Sequence, residues 1–254
     1  MICLHGVTSH GRHFERLAER LAPRFHVLAP DLLGHGDSPY EPPWSIDEHL
    51  GAIVDAVGDG PATWLGHSFG GRLAHELTAS RPDLVQRLVL LDPAILIPGQ
   101  LALHAAESAR TERVYPSFEE AIDRRYEESS LHAAPRALLE TELTGHIVAS
   151  ADGRWRYRYS QAAVVAAHGE LASQPSPFEA TRVPTLLVLG VHSYLSYEHL
   201  LPAHRDALGS LLEVVHVESG HTVLWDALDE STAAVAAFLN RSATRTDPAA
   251  LTKW

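Results

Sequence analysis

The 254-residue sequence predicts an α/β fold: a mostly parallel sheet with helices on both faces and an inserted helical cap. Three observations lead there. Short apolar runs, nearly continuous in Leu, Val and Ile, have the character of strands buried on both faces. Between them lie stretches with apolar residues at helical spacing, the β-α-β-α order of a parallel sheet. From residue 93 to about 181 this rhythm stops and only helical patterns remain.

Taken in order, the first run covers residues 2–4, and a helix follows over 12–21, where Phe14, Leu17, Ala18 and Leu21 fall on one face. A second apolar run spans 25–29, a helix 46–57, the third run 62–65, a helix 72–79 and the fourth run 84–91. The inserted segment carries helical patterns at 100–113, 118–127, 135–143 and 161–171. The alternation resumes with runs at 184–189 and 211–217, separated by a helix over 199–208 and followed by one over 223–239. This divides the chain into a core of residues 1–92 and 182–240 and a cap of residues 93–181. The polar residues after Asn240, with Asp247-Pro248 among them, are expected to form a loose tail.

Composition narrows the function. Hydrophobic residues make up 45% and charged residues 20%, the balance of an ordinary globular protein. The net charge of −12 repels phosphate backbones and anionic lipid surfaces, so neither nucleic acid nor membrane is an expected partner. A lone cysteine, Cys3, excludes an internal disulfide framework and a cysteine-based zinc cage. The apolar start, Met1 to Leu4, is too short for the apolar region of a signal peptide. No stretch approaches the roughly 18 apolar residues of a membrane helix. A cytoplasmic location is the expectation.

The chemistry concentrates at Gly66-His67-Ser68-Phe69-Gly70-Gly71. This is G-x-S-x-G between a strand and a helix, the nucleophile-elbow arrangement. A serine at such a turn tip needs glycines beside it, because side chains at Gly66 or Gly70 would meet the neighbouring strand and helix. The helix that follows aims its amino terminus at the turn and favours negative charge beside Ser68. His5-Gly6-Val7 follows the first strand, where a chain reversal turns the Val7 amide inward to pair with that of Phe69 as an oxyanion hole. Glu218-Ser219-Gly220-His221 follows the last strand, and a histidine there can reach the serine hydroxyl as a general base.

With these segments, the sequence resembles the α/β-hydrolase fold superfamily over nearly its whole length. The matching residues are His5-Gly6-Val7, the run Asp31-Leu32-Leu33-Gly34-His35-Gly36-Asp37-Ser38, the elbow Gly66 to Gly71, and Gly220-His221. The resemblance implies Ser68 as nucleophile, His221 as base, and the Val7 and Phe69 amides as oxyanion donors. It treats the run from Asp31 to Ser38 as a structural loop.

Two departures from that family stand out. Its members usually carry an acid in a Gly-x-x-Asp turn after the strand before last, whereas here the turn reads Gly190-Val191-His192-Ser193. Serine can hold an imidazole but cannot stabilise its charge. Asp92, at the end of the fourth run, is the substitute acid, a position used by some members of the fold; a simple turn-capping role competes with this reading. Asp92→Asn should then be crippling and Ser193→Ala mild. Glu218, Asp226 and Asp229 are weaker candidates, expected to face solvent. The second departure is that the sequence starts almost inside the His-Gly strand, without the two strands that usually precede it, which makes residues 25–29 a sheet edge: either the sequence begins late relative to the natural protein, or another subunit covers that edge in a homo-oligomer.

The remaining features take plainer readings. Arg154-Trp155-Arg156-Tyr157-Arg158-Tyr159 reads either as a carboxylate clamp or, preferred, as an extended segment with solvated arginines over packed aromatics. His10 and His13 form no metal motif and are expected in solvent. His67 should pack or hydrogen-bond behind the elbow, and Phe69 and Trp225 are candidates to line an acyl pocket. The expected function is a serine hydrolase that needs no cofactor or metal and cleaves a small or medium acyl substrate, an ester or lactone, through an acyl-enzyme. A carbon–carbon bond hydrolase of diketone-like compounds and a non-catalytic binding protein on the same scaffold are the alternatives.

Overall fold

The computed structural model describes residues 1–128 and 134–241. Among the described residues five strands form the central sheet: β1 (Ile2–Leu4), β2 (Ala62–His67), β3 (Val85–Leu91), β7 (Thr185–Gly190) and β8 (Leu212–Val217). They lie side by side in that order, and every neighbouring pair is parallel. The continuous apolar runs are explained by burial on both faces. Leu4, Trp64, Leu88, Leu90 and Leu187 belong to one core cluster. Cys3, Leu65, Val89, Leu91 and Leu186 belong to the other, because successive side chains of a strand point to opposite faces.

Helices cover both faces. On the first side lie α2 (Ile46–Val57), α3 (Phe69–Ser80) and α8 (Leu201–Leu208); on the second lie α1 (Glu15–Leu21) and α10 (Leu228–Asn240). Local signals set their ends. Ser45 caps α2 by accepting the amide of Glu48, three residues on, and the helix buries Ile46, Leu50 and Ile53 along one stripe. Pro202 sits in the first turn of α8, where its missing N–H costs nothing.

The structure departs from the sequence expectation in three elements. Residues 25–29 do not form a strand. Only Leu28 bridges to Ile2, through hydrogen bonds from Cys3 N to Leu28 O (2.8 Å) and from Leu28 N to Met1 O (2.9 Å). A three-residue β1 offers little ladder to a neighbour, and Pro30 closes the segment without a donor. The helix expected over 223–239 is broken at Ala227, giving α9 (Val223–Asp226) before α10. And α3 starts at Phe69 rather than at residue 72, taking in two glycines whose tight packing overrides their poor helix propensity.

Between β3 and β7 the described residues form four inserted α-helices, α4 (Gly99–Ala109), α5 (Phe118–Glu128), α6 (Arg136–Leu143) and α7 (Gln161–Ala172). The insertion is not wholly helical. It also holds an antiparallel sheet of β4 (Val114–Tyr115), β5 (Ile147–Ala149) and β6 (Trp155–Tyr157), with β6 in the middle. These strands are two or three residues long, too short for an alternation pattern to show in the sequence. The insertion is tied to the core where Ser160 N donates to Gly34 O (2.7 Å) and Gly36 N to Arg158 O (2.8 Å). No described helix is long and apolar enough to cross a membrane. The tail expected to be loose lies, from residue 242 on, outside the described residues.

Candidate active site

Ser68 stands between β2 and α3 with φ 54° and ψ −118°. The glycines around it are dictated by close backbone approach. A Cβ on Gly66 would lie 2.1 Å from Gly70 O, and one on Gly70 would lie 2.0 Å from Leu4 O. Only hydrogen fits at either position, and that lets the elbow press against both its own helix and β1.

Asp92 follows β3, the strand next to β2, and also has a positive φ, 40°. Ser68 and Asp92 are the two non-glycine residues with positive φ among the described residues. Such backbone persists only where its surroundings enforce it, and it gathers at functional sites. The Asp92 carboxylate is 2% exposed and fully engaged. Its Oδ1 accepts the Gly190 amide (3.0 Å), and its Oδ2 accepts the Ser193 hydroxyl (2.5 Å) and the His221 ring at Nδ1 (2.6 Å). The structure therefore brings Asp92 and His221 together. Ser193, at the position where an acid was expected, holds the carboxylate instead of the imidazole.

His221 is held twice. Asp92 takes its Nδ1–H, which leaves Nε2 for the cavity that Ser68 and His221 both line. Its backbone oxygen accepts from His67 Nε2 (2.9 Å), the bond behind the elbow that the sequence suggested. Burial, reinforced by the neighbouring His221 and His13, pushes the His67 imidazole well below its ordinary pKa. Asp226 is not turned to solvent as expected. It accepts the amides of Gly220 (2.9 Å) and Ala134 (3.1 Å) and so braces the turn carrying His221. Glu218 pairs with His192 and Asp229 with Arg20 at the surface.

The loop with Val7 runs against Ser68: a Cβ on Gly6 would fall 3.1 Å from Ser68 Cβ. Phe69 is the first residue of α3, so its amide has no acceptor within its own helix. The loop from Asp31 to Ser38 braces this region. Asp31 accepts the amides of Gly11 (2.7 Å) and Asp37 (3.1 Å), His35 Nε2 donates to Val7 O (2.5 Å), and Leu32 N donates to His5 Nε2 (2.9 Å). That His5 and His35 are buried supports was not legible from sequence, because a histidine alone carries no burial signal.

A cavity of about 370 Å³ opens over Ser68. Its walls come from the core and from α4 and α7, which pack side by side and contribute Leu101, Ala105, Val164 and Leu171. Trp225 lines the cavity as expected. Phe69 does not, being 1% exposed with its ring against His49 (5.5 Å). His10 and His13 are buried rather than solvated: His10 stacks on His146 (4.2 Å), and His13 Nδ1 bonds Glu142 (2.7 Å). Glu142 on α6 also accepts the Trp225 indole N–H, so a carboxylate from the inserted segment fastens two core aromatics. No group of described His, Cys, Asp and Glu residues has the grouping of a metal site. Of the alternating segment, Arg154 pairs with Asp152, Arg156 with Asp152 and Glu112, and Arg158 with Asp37, while Tyr157 and Tyr159 are buried. The clamp reading is thereby replaced by surface ion pairs over packed aromatics.

Comparison with known proteins agrees with this geometry. Residues 1–228 match the alpha/beta hydrolase fold family. The lipase LipV of Mycobacterium tuberculosis is 38% identical over 228 residues, covering 88% of this chain and 86% of that one. An esterase of the same organism is 30% identical over 220 residues, covering 79% and 70%. The solved structure of E-2-(acetamidomethylene)succinate hydrolase superposes with a TM-score of 0.81 at 25% identity, covering 95% of this chain and 91% of that one. By sequence and by architecture the chain belongs to the α/β-hydrolase fold family and is a hydrolase.

Proposed function

We propose that the protein is a serine hydrolase that cleaves a carboxylic ester or lactone of a small or medium acyl group through an acyl-enzyme. The observation that carries this is the 2.6 Å bond between the buried Asp92 and His221, beside the cavity that His221 and the serine of the strained elbow both line. Ser68 Oγ attacks the carbonyl carbon as Nε2 of His221 takes its proton. The imidazolium that forms is stabilised by Asp92, which remains ionised. The Val7 and Phe69 amides receive the oxyanion, each such donor being worth about 2.7–4 kcal/mol in the transition state. His221 then returns the proton to the leaving oxygen and activates the water that releases the acid.

The cavity volume of about 370 Å³ lies near the lower end for small-molecule sites and supports an acyl group of modest size. In this reading residues 93–181 are a cap over a core of 1–92 and 182–240, and α4 and α7 shape the acyl pocket. The likeness to a lipase and an esterase favours ester cleavage over the carbon–carbon alternative. The case for a non-catalytic scaffold rested on the missing acid at position 193, and Asp92 supplies a carboxylate to His221 from elsewhere. A fluorophosphonate should label the protein covalently, with labelling and ester turnover both abolished in Ser68→Ala. Folded wild-type protein that neither labels nor turns over esters would defeat the proposal.

A further inference from the structure

The cavity over Ser68 has two kinds of wall. Ile97, Val164 and Leu171 are buried, whereas Tyr194, which lines the same space, is 61% exposed. Single exposed apolar side chains are ordinary on a protein surface. Tyr194 differs in what it touches: its ring centroid lies 4.9 Å from that of His221. Of the other large apolar side chains exposed among the described residues, only Leu101, on α4, shares the cavity with it.

The ring does not hang on a loose loop. It follows β7 in a turn fastened on both sides. Val191 N donates to Val217 O (3.1 Å) and His192 N to Ser219 O (2.9 Å), which ties the turn to the stretch leading into His221. Ser193, the residue before the ring, donates to Asp92 and accepts from the amide of Leu195 (3.1 Å), the residue after it. Tyr194 is therefore open to solvent and yet anchored through the same carboxylate that holds the His221 imidazole. Such a side chain is pre-organised, so that little ordering is left to be done when a ligand packs on it.

In acylation His221 delivers its proton to the leaving oxygen, which must come within about 3 Å of the imidazole. The carbon atoms just beyond that oxygen then lie against what borders His221 on the open side, and Tyr194 is that exposed neighbour. Resting on the serine-hydrolase reading, we propose that Tyr194 is a platform for the leaving group and that the preferred substrates are esters of flat aromatic alcohols. The alcohol's ring packs on that of Tyr194 while the carbonyl lies at Ser68. A pair of aromatic rings gains attraction beyond the area it buries. In this role Tyr194 is a specificity-determining residue: it reads the alcohol and takes no part in bond making or proton transfer.

Benzyl butyrate and cyclohexylmethyl butyrate test this. They share an acyl group, and their alcohols are alike in size and acidity but differ in flatness and aromaticity. The benzyl ester should have at least about threefold higher kcat/KM, the scale of one aromatic pair. Tyr194→Phe, which keeps the ring, should keep that preference. Tyr194→Leu, which keeps an apolar side chain and loses the ring, should bring the two esters level. Both esters leave the same butyryl-enzyme, so hydrolysis of that intermediate, followed in single turnover, should be unchanged in Tyr194→Leu. Equal kcat/KM for the two esters in the wild type overturns the proposal, as does a preference that survives in Tyr194→Leu. A Tyr194→Leu protein that hydrolyses the butyryl-enzyme as poorly as it forms it would show a ring that only positions His221, and this too overturns the proposal. Binding of 4-methylumbelliferyl butyrate to Ser68→Ala, read by the ligand's fluorescence, separates this from failure of the hydrolase reading. Binding at least about threefold weaker once Tyr194→Leu is added supports the platform even where no ester is turned over. Equal binding in the two proteins, or none in either, overturns it.

Discussion

Asp92 is where residue chemistry departs most from the family pattern. Its carboxylate takes three donors, of which His221 is one and Ser193 another. Asp92→Asn should lower kcat by orders of magnitude, about 10⁴-fold by analogy with the serine-protease triad, read in steady-state ester hydrolysis. Ser193→Ala removes one donor and leaves the other two, so a loss of up to about tenfold in kcat is expected, small beside that of Asp92→Asn. Asp92→Asn combined with Ser193→Asp should recover part of the lost rate, because the new carboxylate starts within a side chain's length of the same imidazole. A double variant no faster than Asp92→Asn would mean that the acid works only from β3.

At the scale of elements, Arg72 joins three parts of the chain. Buried on α3, it donates to Ile95 O (2.5 Å), Ser173 O (3.2 Å) and Gln174 O (3.2 Å), and pairs with Glu76 (2.7 Å). It thereby pins the nucleophile's helix to the entry and exit of the insertion. Arg72→Met should lower stability by about 3–5 kcal/mol in urea unfolding, because several buried carbonyls and Glu76 lose their partner. Element order and type were legible in the sequence wherever burial on both faces or an amphipathic stripe wrote a pattern: α2 and the strands β2, β3, β7 and β8 lie within a few residues of expectation. The strands β4 to β6 and the single bridge at Leu28 were not legible, because two or three residues carry no periodicity. At the site, Ser68, His221 and Asp92 could be placed by motif and position. Ser193 and Glu142 could not, since their partners lie 83 to 129 residues away and only folding brings them together.

For the whole molecule, buried histidines couple stability to pH. Burial lowers the pKa of His10, His49 and His204 to about 4, and drives His5, His67 and His146 well below the ordinary 6.5. Below pH 6.5 the unfolded chain binds protons at these rings while the folded protein does not, so the native state weakens as pH falls toward 4. Each of the three rings near 4 contributes up to about 3 kcal/mol to that loss. Tm should therefore drop steeply between about pH 6.5 and 4.5, and a flat profile there would show that these rings are not held neutral.

The two left-handed residues, Ser68 and Asp92, also say when activity can exist. Neither conformation is favoured by its own short stretch of chain, so no fragment and no half-formed sheet is pre-shaped for catalysis. In refolding, turnover should return no earlier than the pairing that seats β3 between β2 and β7, read by comparing regained ester hydrolysis with circular dichroism. Catalysis then reports a completed centre of the sheet.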